Sequence, residues 1–587
     1  MTSEHRINHK ARGWLFFALA ALCLMVQLLA VEYQFNKHID INWLSQLSPM
    51  ALLGLVANNL GDALILLIPA VLLPARHRRW ATWVIIGMVT FWCAAQLLYI
   101  PTYHDLMPFG SFTLVENIGP TLLKSVAGAI SPRLLEVLLP PAALYAAYRL
   151  WFRESARAYT PAARTRLLAA AACLAAFVMI RLCSSYAHQI VDKTPSYTDQ
   201  LRDDYAIMWT RQGDYLNQNG AVAYALYSAY STLFSHKHLS SQERQQIRQF
   251  LDSRPAYTDN RFAIGETPNV VLLVVESLNA WVVDLRIDNR EITPTLNALC
   301  RDSANIVALR MKTQARNGRS SDGIFIYNTG LLPLPVQAVA NTYPEGNYPT
   351  LIRALSGYSS FYACCDEPSL WNVEQMALNY GYQHFFGREQ IDPYIKQSGY
   401  RIDHVLLQQT ARRIKRQPEP YFALVHTAGM HSPYDTALSD TSWIQRSSAF
   451  TPQVRCYLER ANLFDQALAQ FLTQIKENTL LVIASDHTEY VDNAPTGRRA
   501  LDPVGDNCVL IIRGTPFGRT INQPFGQIDL YPTLLDLLGA NQYPWKGLGK
   551  SLLRFPAIAP STSSTDTTAI INRMLITGGY FRSDLKD

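Results

Sequence analysis

The chain has 587 residues, 49% hydrophobic and 17% charged, enough for two or more domains. Its formal net charge of +6 is small for that length and implies no nucleic-acid partner. Nine cysteines are scattered with no two CxxC motifs at zinc spacing, and nearly all the long apolar runs fall before residue 190.

Five segments, 13–31, 50–73, 80–100, 134–150 and 167–182, are long and apolar enough to cross about 30 Å of hydrocarbon. The first is not read as a signal peptide, because no small-residue cleavage site follows it and more spans come after. Arg6, Lys10 and Arg12 precede the first span, and Arg76, Arg78 and Arg79 separate the second and third. Arg149, Arg153, Arg157, Arg164 and Arg166 separate the fourth and fifth, and the alternate loops carry few Lys or Arg. The positive-inside rule then puts the N-terminus in the cytoplasm, and five spans put everything after residue 188 on the outer side. Asn58, Asn59 and Asp62 fall in the second span, where polar groups either serve function or bond neighbouring helices.

Residues 188–265 are polar, with a tyrosine-rich stretch "GAVAYALYSAYSTLF" and the charged run "SSQERQQIRQFLDSR". Both fit a helical period, which suits helices lying on the membrane surface. The expected organisation is a transmembrane domain over 1–187, this amphipathic connector over 188–265 and a soluble domain over 266–587.

From "NVVLLVVES" onward, β-branched runs at 270–275, 358–363, 421–426, 480–485 and 509–513 alternate with helical patterns at 293–300, 321–329, 453–476 and 528–538. Continuous apolar strands alternating with helices predict an α/β domain with a largely parallel sheet, covered by helices on both faces. In such sheets ligands bind beyond the carboxyl ends of the strands. The first strand stops at Glu276, the 480–485 strand at Asp486 and His487, and 421–426 leads into "HTAGMHSPY" with His431. A polar residue at one strand end is usually a turn former. Carboxylates and imidazoles ending three strands suit a divalent ion such as Mn²⁺ or Zn²⁺. The fragment "NGRSSDGIF" places two hydroxyls, Ser320 and Ser321, where a helix begins. A helix N-terminus favours an anionic group, and coordination to an ion activates an alcohol as a nucleophile.

In combination these motifs resemble the sulfatase-like branch of the alkaline phosphatase superfamily, and most closely the lipoteichoic acid synthases and related membrane phosphoglycerol and phosphoethanolamine transferases. "VVLLVVESLN", "ITPTLNALC", "NGRSSDGIF", "IASDHTEY" and "GQIDLYPTLLDLLG" carry the resemblance, and it extends over the whole chain. The resemblance implies Glu276, Ser320, Asp486 and His487 as ligands of one metal ion, Mn²⁺ or Zn²⁺. It makes Ser320 the nucleophile in place of the usual threonine, and Ser321 a cap or supporting donor. Arg319 stands where a phosphate-facing lysine is usual, and His431 where a histidine contacts the substrate phosphate. "CCDEPSLWNVEQM" resembles the substrate-pocket motif, giving Asp366 and Trp371, but the motif's arginine is Val373 here. Arg388, in "FFGREQI", is a candidate to compensate for it.

The implied function is transfer of a headgroup from a membrane phospholipid donor to an envelope glycan or lipid acceptor. The implied location is a bacterial plasma (inner) membrane, with the catalytic domain periplasmic or extracellular. A true sulfatase is excluded, because no Cys or Ser begins a C/S-x-P-x-R run. Two alternatives stand beside phosphoglycerol transfer. One is a phosphoethanolamine transferase acting on lipid A or another glycan, and the other is a catalytically silent, lipid-sensing regulator of the same fold.

Overall fold

The computed structural model describes residues 3–39, 43–103, 106–113, 130–152, 161–192, 212–233, 239–254, 257–316, 318–334, 338–344, 346–368, 370–395, 402–432, 434, 437–438, 442–448, 450–489, 507–554 and 562–583. Parts of the expected connector (193–211 and 234–238), with Arg153 and Arg157 of the basic loop, lie outside these residues. The chain divides into two compact units, 1–112 with 120–231 and 113–119 with 232–587.

The first unit is helical: α1 Ser3–Ile39, α2 Pro49–Leu72, α3 Ala75–Tyr103, α4 Leu134–Ala147, α5 Ala163–Asp192 and α6 Gln212–Leu233. Among the described residues four helical stretches are long and apolar enough to cross a membrane: Arg12–Lys37, Pro49–Leu72, His77–Ile100 and Ala163–Cys183. The remaining expected span is interrupted. Here α4 holds 14 residues, about 21 Å of helix, with Pro140 and Pro141 inside it, before a π-helical turn over Tyr148–Phe152. Four clear spans rather than five is therefore the count the helices give. Phe16, Trp83 and Tyr148 pack together where these helices meet, with ring centroids 5.5–6.2 Å apart.

Polar side chains join the helices. Asn59 Nδ2 donates to Glu32 Oε2 at 2.6 Å, and Gln34 donates to the Glu136 carboxylate at 2.8 Å. Asp62 pairs with Arg181 and accepts the Val222 amide at 3.2 Å. Gly220 (φ +79°) breaks α6 beside that pair. A side chain there would bring Cβ within 2.4 Å of Asp62 Oδ2, so only glycine lets the break close onto the carboxylate.

The second unit opens with α7, Ser241–Asp252. Ser240 and Glu243 form a reciprocal capping box at its start. A nine-stranded sheet follows, from β1 Asn269–Val275, β2 Ile306–Lys312, β3 Ser359–Ala363, β4 His384–Phe386, β5 Tyr421–His426, β6 Thr479–Ser485, β7 Cys508–Arg513, β8 Arg519–Ile521 and β9 Phe525–Gly526. Its order is β8-β2-β7-β6-β1-β5-β3-β4, with β9 also on β2. All pairs are parallel except those of β7 with β6 and β2. The mostly parallel sheet agrees with the sequence. The β2 strand was not anticipated, because Leu309 and Arg310 are only half-buried and Lys312 is exposed, which breaks the apolar run.

All seven residues of β1 are buried, as a strand covered on both faces requires. Val271, Leu273 and Val275 pack in one core with Leu406, Tyr457 and Leu468. In register Val274 pairs with His426, and Val275 with Ser485. The carboxyl ends of β1, β5 and β6 therefore finish side by side. All nine cysteines are unbridged.

Candidate active site

Each of those three strand ends contributes polar groups. Glu276 and Asp486 directly follow β1 and β6, and both are buried. The backbone turns sharply at once: Ser277 has φ 53°, its amide donates to Asp486 Oδ1 at 2.8 Å and its hydroxyl donates to Glu276 Oε1 at 2.7 Å. The His487 amide also donates to Asp486 Oδ1, at 2.7 Å. Tyr457, from the long helix α9 (Pro452–Leu472), ties the turn down by donating to the Ser277 carbonyl at 2.8 Å and accepting the Asn279 amide at 2.9 Å. One donor atom each of Glu276, Asp486 and His487 falls within 4.8 Å of the others.

Ser320 begins helix α8, Ser320–Thr329. Its hydroxyl donates to Glu276 Oε2 at 2.9 Å and lies 3.3 Å from His487 Nε2. The residue before it, Arg319, has φ 45°, a strained conformation for a side chain of that size, of the kind that clusters at functional sites. Asp322 secures this turn by accepting the amides of Arg316 and Gly318 at 2.9 and 3.0 Å. Burial pushes its carboxyl up to about 7 against those bonds. The Ser321 hydroxyl donates to the Gly318 carbonyl at 2.8 Å, so the side chain that satisfies the loop's amides is Asp322 and not Ser321. Gln527, from "GQIDLYPT", locks the turn to the β6 end. Its Nε2 donates to the Asp486 carbonyl at 2.7 Å and its Oε1 accepts the Gln314 amide at 2.6 Å.

A cleft of about 360 Å³ opens beside Ser320, lined by Ile324, Tyr362, Val373, Met376 and Tyr380 and also by Asp366, Trp371 and His426. Trp371 and Asn372 both have positive φ (53° and 48°), and the Asn372 side chain donates to the Ala340 carbonyl at 3.0 Å.

Of the residues singled out in the sequence, Glu276, Ser320, Asp486 and His487 come together, with Asp366 and Trp371 on the cleft. Arg319 is adjacent, but its guanidinium pairs with Glu489 at 2.8 Å. Arg388 is half-exposed, faces Glu367 at 3.4 Å and does not line the cleft. His431 is exposed, with Nδ1 2.5 Å from the Ser432 carbonyl.

Where the sequence points to His431, the second imidazole beside the two carboxylates is instead His426, the last residue of β5. Its Nε2 is 3.5 Å from both Glu276 Oε2 and Asp486 Oδ2, and its Nδ1 is 3.7 Å from Asp366 Oδ2. The signal was weaker than for Glu276 and Asp486, since His426 is the last residue of its strand and not the one after it. Burial alone would raise the Glu276 carboxyl. The His426 ring 3.5 Å away and the charges of His487 and His431 outweigh burial and hold it well below the usual range.

The donor set suits a divalent cation. Asp486 Oδ2 and both His426 nitrogens are buried without a hydrogen-bond partner among the described residues, a costly arrangement for protein alone. Carboxylate and imidazole donors match Mn²⁺ or Zn²⁺ chemistry.

Comparison with known proteins agrees with this architecture. The Sulfatase family model matches residues 268–540, and the lipoteichoic acid synthase N-terminal domain model matches residues 1–239. Lipoteichoic acid synthase 1 of Bacillus subtilis (strain 168) is 22% identical over 555 residues, covering 90% of this chain and 83% of that protein. Lipoteichoic acid synthase of Staphylococcus aureus (strain USA300) is 20% identical over 577 residues, 91% of this chain and 84% of that one. The crystal structure of the lipoteichoic acid synthase LtaP from Listeria monocytogenes matches with a TM-score of 0.47 and 15% identity, covering 58% of this chain and 98% of that one. Over most of its length the chain is thus similar to lipoteichoic acid synthases, with a sulfatase-type domain after a lipoteichoic acid synthase-type N-terminal domain, and these likenesses support a phosphotransferase rather than a true sulfatase.

Proposed function

We propose that the chain transfers a phosphoglycerol headgroup from a membrane phospholipid to an envelope glycan or lipid acceptor, through a covalent ester on Ser320. The observation that carries this reading is the Ser320 hydroxyl, 2.9 Å from Glu276 Oε2 and 3.3 Å from His487 Nε2, at the start of a helix. The names of the relatives, lipoteichoic acid synthases, support the same substrate class.

In the first half-reaction Ser320 Oγ bonds to phosphorus as the bond from phosphorus to the diacylglycerol oxygen breaks. That oxygen takes a proton and diacylglycerol leaves. Glu276 is placed to accept the Ser320 proton, and the positive end of the α8 dipole favours the anionic phosphate. In the second half-reaction an acceptor hydroxyl gives up its proton, bonds to phosphorus and frees Ser320.

Glu276, Ser320, Asp486 and His487 would hold one divalent ion, Mn²⁺ or Zn²⁺, which when bound neutralises phosphate charge and eases ionisation of the hydroxyl. Asp366 and Trp371 contact the headgroup from the cleft, and His431 positions phosphate or moves a proton. Arg319, shared with Glu489, adds positive charge near the phosphate, whereas Arg388 stands off the cleft beside Glu367.

A second reading, phosphoethanolamine transfer, is favoured by one observation. Val373 lines the cleft where the related motif carries an arginine. One experiment separates the two: mass spectrometry of the Ser320 peptide after incubation with phosphatidylglycerol or phosphatidylethanolamine. A phosphoglycerol adduct is expected, and a phosphoethanolamine adduct selects the second reading. No adduct from either lipid, together with no bound metal, leaves the silent regulator.

We further propose that the segment over α4 and its π-helical turn completes five spans. The N-terminus then lies in the cytoplasm and the catalytic unit on the outer side of the plasma membrane.

A further inference from the structure

We propose that His426 is a ligand of the metal centre, with Asp366 as the carboxylate that orients its ring. This inference rests on reading the Glu276–Asp486–His487 cluster as a metal centre.

The spacing supports it. Two donors bonded to one ion at about 2.1 Å, at a tetrahedral or right angle, stand roughly 3.0 to 3.4 Å apart. His426 Nε2 lies 3.5 Å from Glu276 Oε2 and 3.5 Å from Asp486 Oδ2. The assumed ligand His487 Nε2 shows the same separations, 3.5 Å from Glu276 Oε1 and 3.5 Å from Asp486 Oδ2. His426 thus faces the two carboxylates at the distances of an accepted member of the set.

Its hydrogen bonding agrees. The residue is 4% exposed, and neither ring nitrogen has a hydrogen-bond partner among the described residues, nor does Asp486 Oδ2. A buried imidazole kept only for packing would normally satisfy at least one nitrogen. On the far side, Nδ1 faces Asp366 Oδ2 at 3.7 Å. A metal-bound imidazole whose other nitrogen faces a carboxylate is a recurring arrangement that fixes tautomer and ring orientation.

The arrangement has a further consequence. Asp366 lines the cleft beside Ser320. A headgroup that contacts Asp366 would also touch the group that orients a metal ligand, so occupancy of the cleft and the electronic state of the centre are coupled.

The test is metal binding by the full-length protein in detergent, with Mn²⁺ and Zn²⁺ titrated into chelator-stripped wild type, His426→Ala, His426→Gln and Asp366→Asn. The expected result is at least tenfold weaker binding in both His426 variants. Asp366→Asn should lose roughly 10- to 100-fold, as outer-shell partners of metal ligands do. Pulsed electron paramagnetic resonance of bound Mn²⁺ should show nitrogen coupling from two imidazoles in wild type and from one in His426→Gln. Thermal unfolding of the stripped proteins shows that the variants fold.

Wild-type affinity and unchanged nitrogen coupling in a folded His426→Gln would overturn the proposal. A wild-type protein that binds neither ion would instead sink the metal-centre reading itself. An adduct on Ser320 would still test the transferase reading separately.

Discussion

Gly323 lies directly against the main chain of Asp486. A Cβ built on it would stand 2.3 Å from the Asp486 carbonyl oxygen, a backbone atom that cannot swing aside. Helix α8, which Ser320 begins, and the end of β6 are therefore seated on each other with no side chain between them. Gly323→Ala should push α8 off β6, destabilising the fold by about 1–3 kcal/mol through overpacking. Because it also shifts Ser320 relative to His487, turnover should fall further, on the order of 100-fold for a displacement near 1 Å. Thermal unfolding and headgroup-transfer rates check both. A Gly323→Ala protein with wild-type turnover would show that this contact does not set the geometry.

Two neighbouring hydroxyls should respond differently. Ser320→Ala should abolish the covalent adduct, while Ser320→Thr, which keeps a hydroxyl, should retain it. Ser321→Ala loses one hydrogen bond to the Gly318 carbonyl and should cost about 1 kcal/mol of stability, with the adduct intact. The measurement is adduct mass alongside the melting temperature. An adduct in Ser320→Ala and none in Ser321→Ala would reverse the two roles.

Asp403 supplies a pH signature at the loop that follows β5. Its Oδ1 accepts the amides of both Ala428 and Gly429, at 3.0 and 2.8 Å, and so holds the loop between His426 and His431. Burial raises its carboxyl to about 6, with those two amides opposing. A carboxyl raised on folding is harder to ionise in the folded chain than in the unfolded one. Its contribution is thus most favourable below about pH 4, falls as pH rises through about 6, and is constant above that. Asp403→Asn can keep Oδ1 as the acceptor of both amides and should remove that slope. Denaturant unfolding of the two proteins at pH 4, 5, 6 and 7 gives the comparison. A stability difference that does not change over this range would contradict the sign worked out here.

Orientation in the membrane can be read with fusions. A reporter active only outside the cytoplasm, joined after residue 200, should be active, and one joined after Leu72 should be silent. Activity at Leu72 with silence at residue 200 would invert the topology.

Much of the centre was legible because its residues sit at strand ends, and strand ends follow from where apolar runs stop. Glu276, Asp486 and His487 are found this way, and Ser320 by its motif. His426 was missed because it lies inside the run "YFALVH" rather than after it, and only the register with Val274 shows which way its ring faces. The pairing of Arg319 with Glu489 could not be read from spacing, since it depends on how two loops close over one another. Gln527 sits in a motif quoted for resemblance alone. Its role as the stitch between Gln314 and Asp486 is a tertiary fact. The interrupted fourth span was obscured because the flanking Leu, Val and Ala residues keep the stretch apolar, while Pro140 and Pro141 each remove a backbone donor.

Glu276 closes the first strand of the sheet and Asp486 the sixth, with Ser320 and His426 between them in sequence. A chain that ends before residue 486 lacks both Asp486 and His487, so the proposed ligand set is complete only once the end of β6 has been made. In the proposed topology the catalytic unit crosses the membrane before it is folded. An ion held by the proposed ligands would then be taken up after export, from what the envelope offers, so the metal supply outside the cell would set how much of the protein is active.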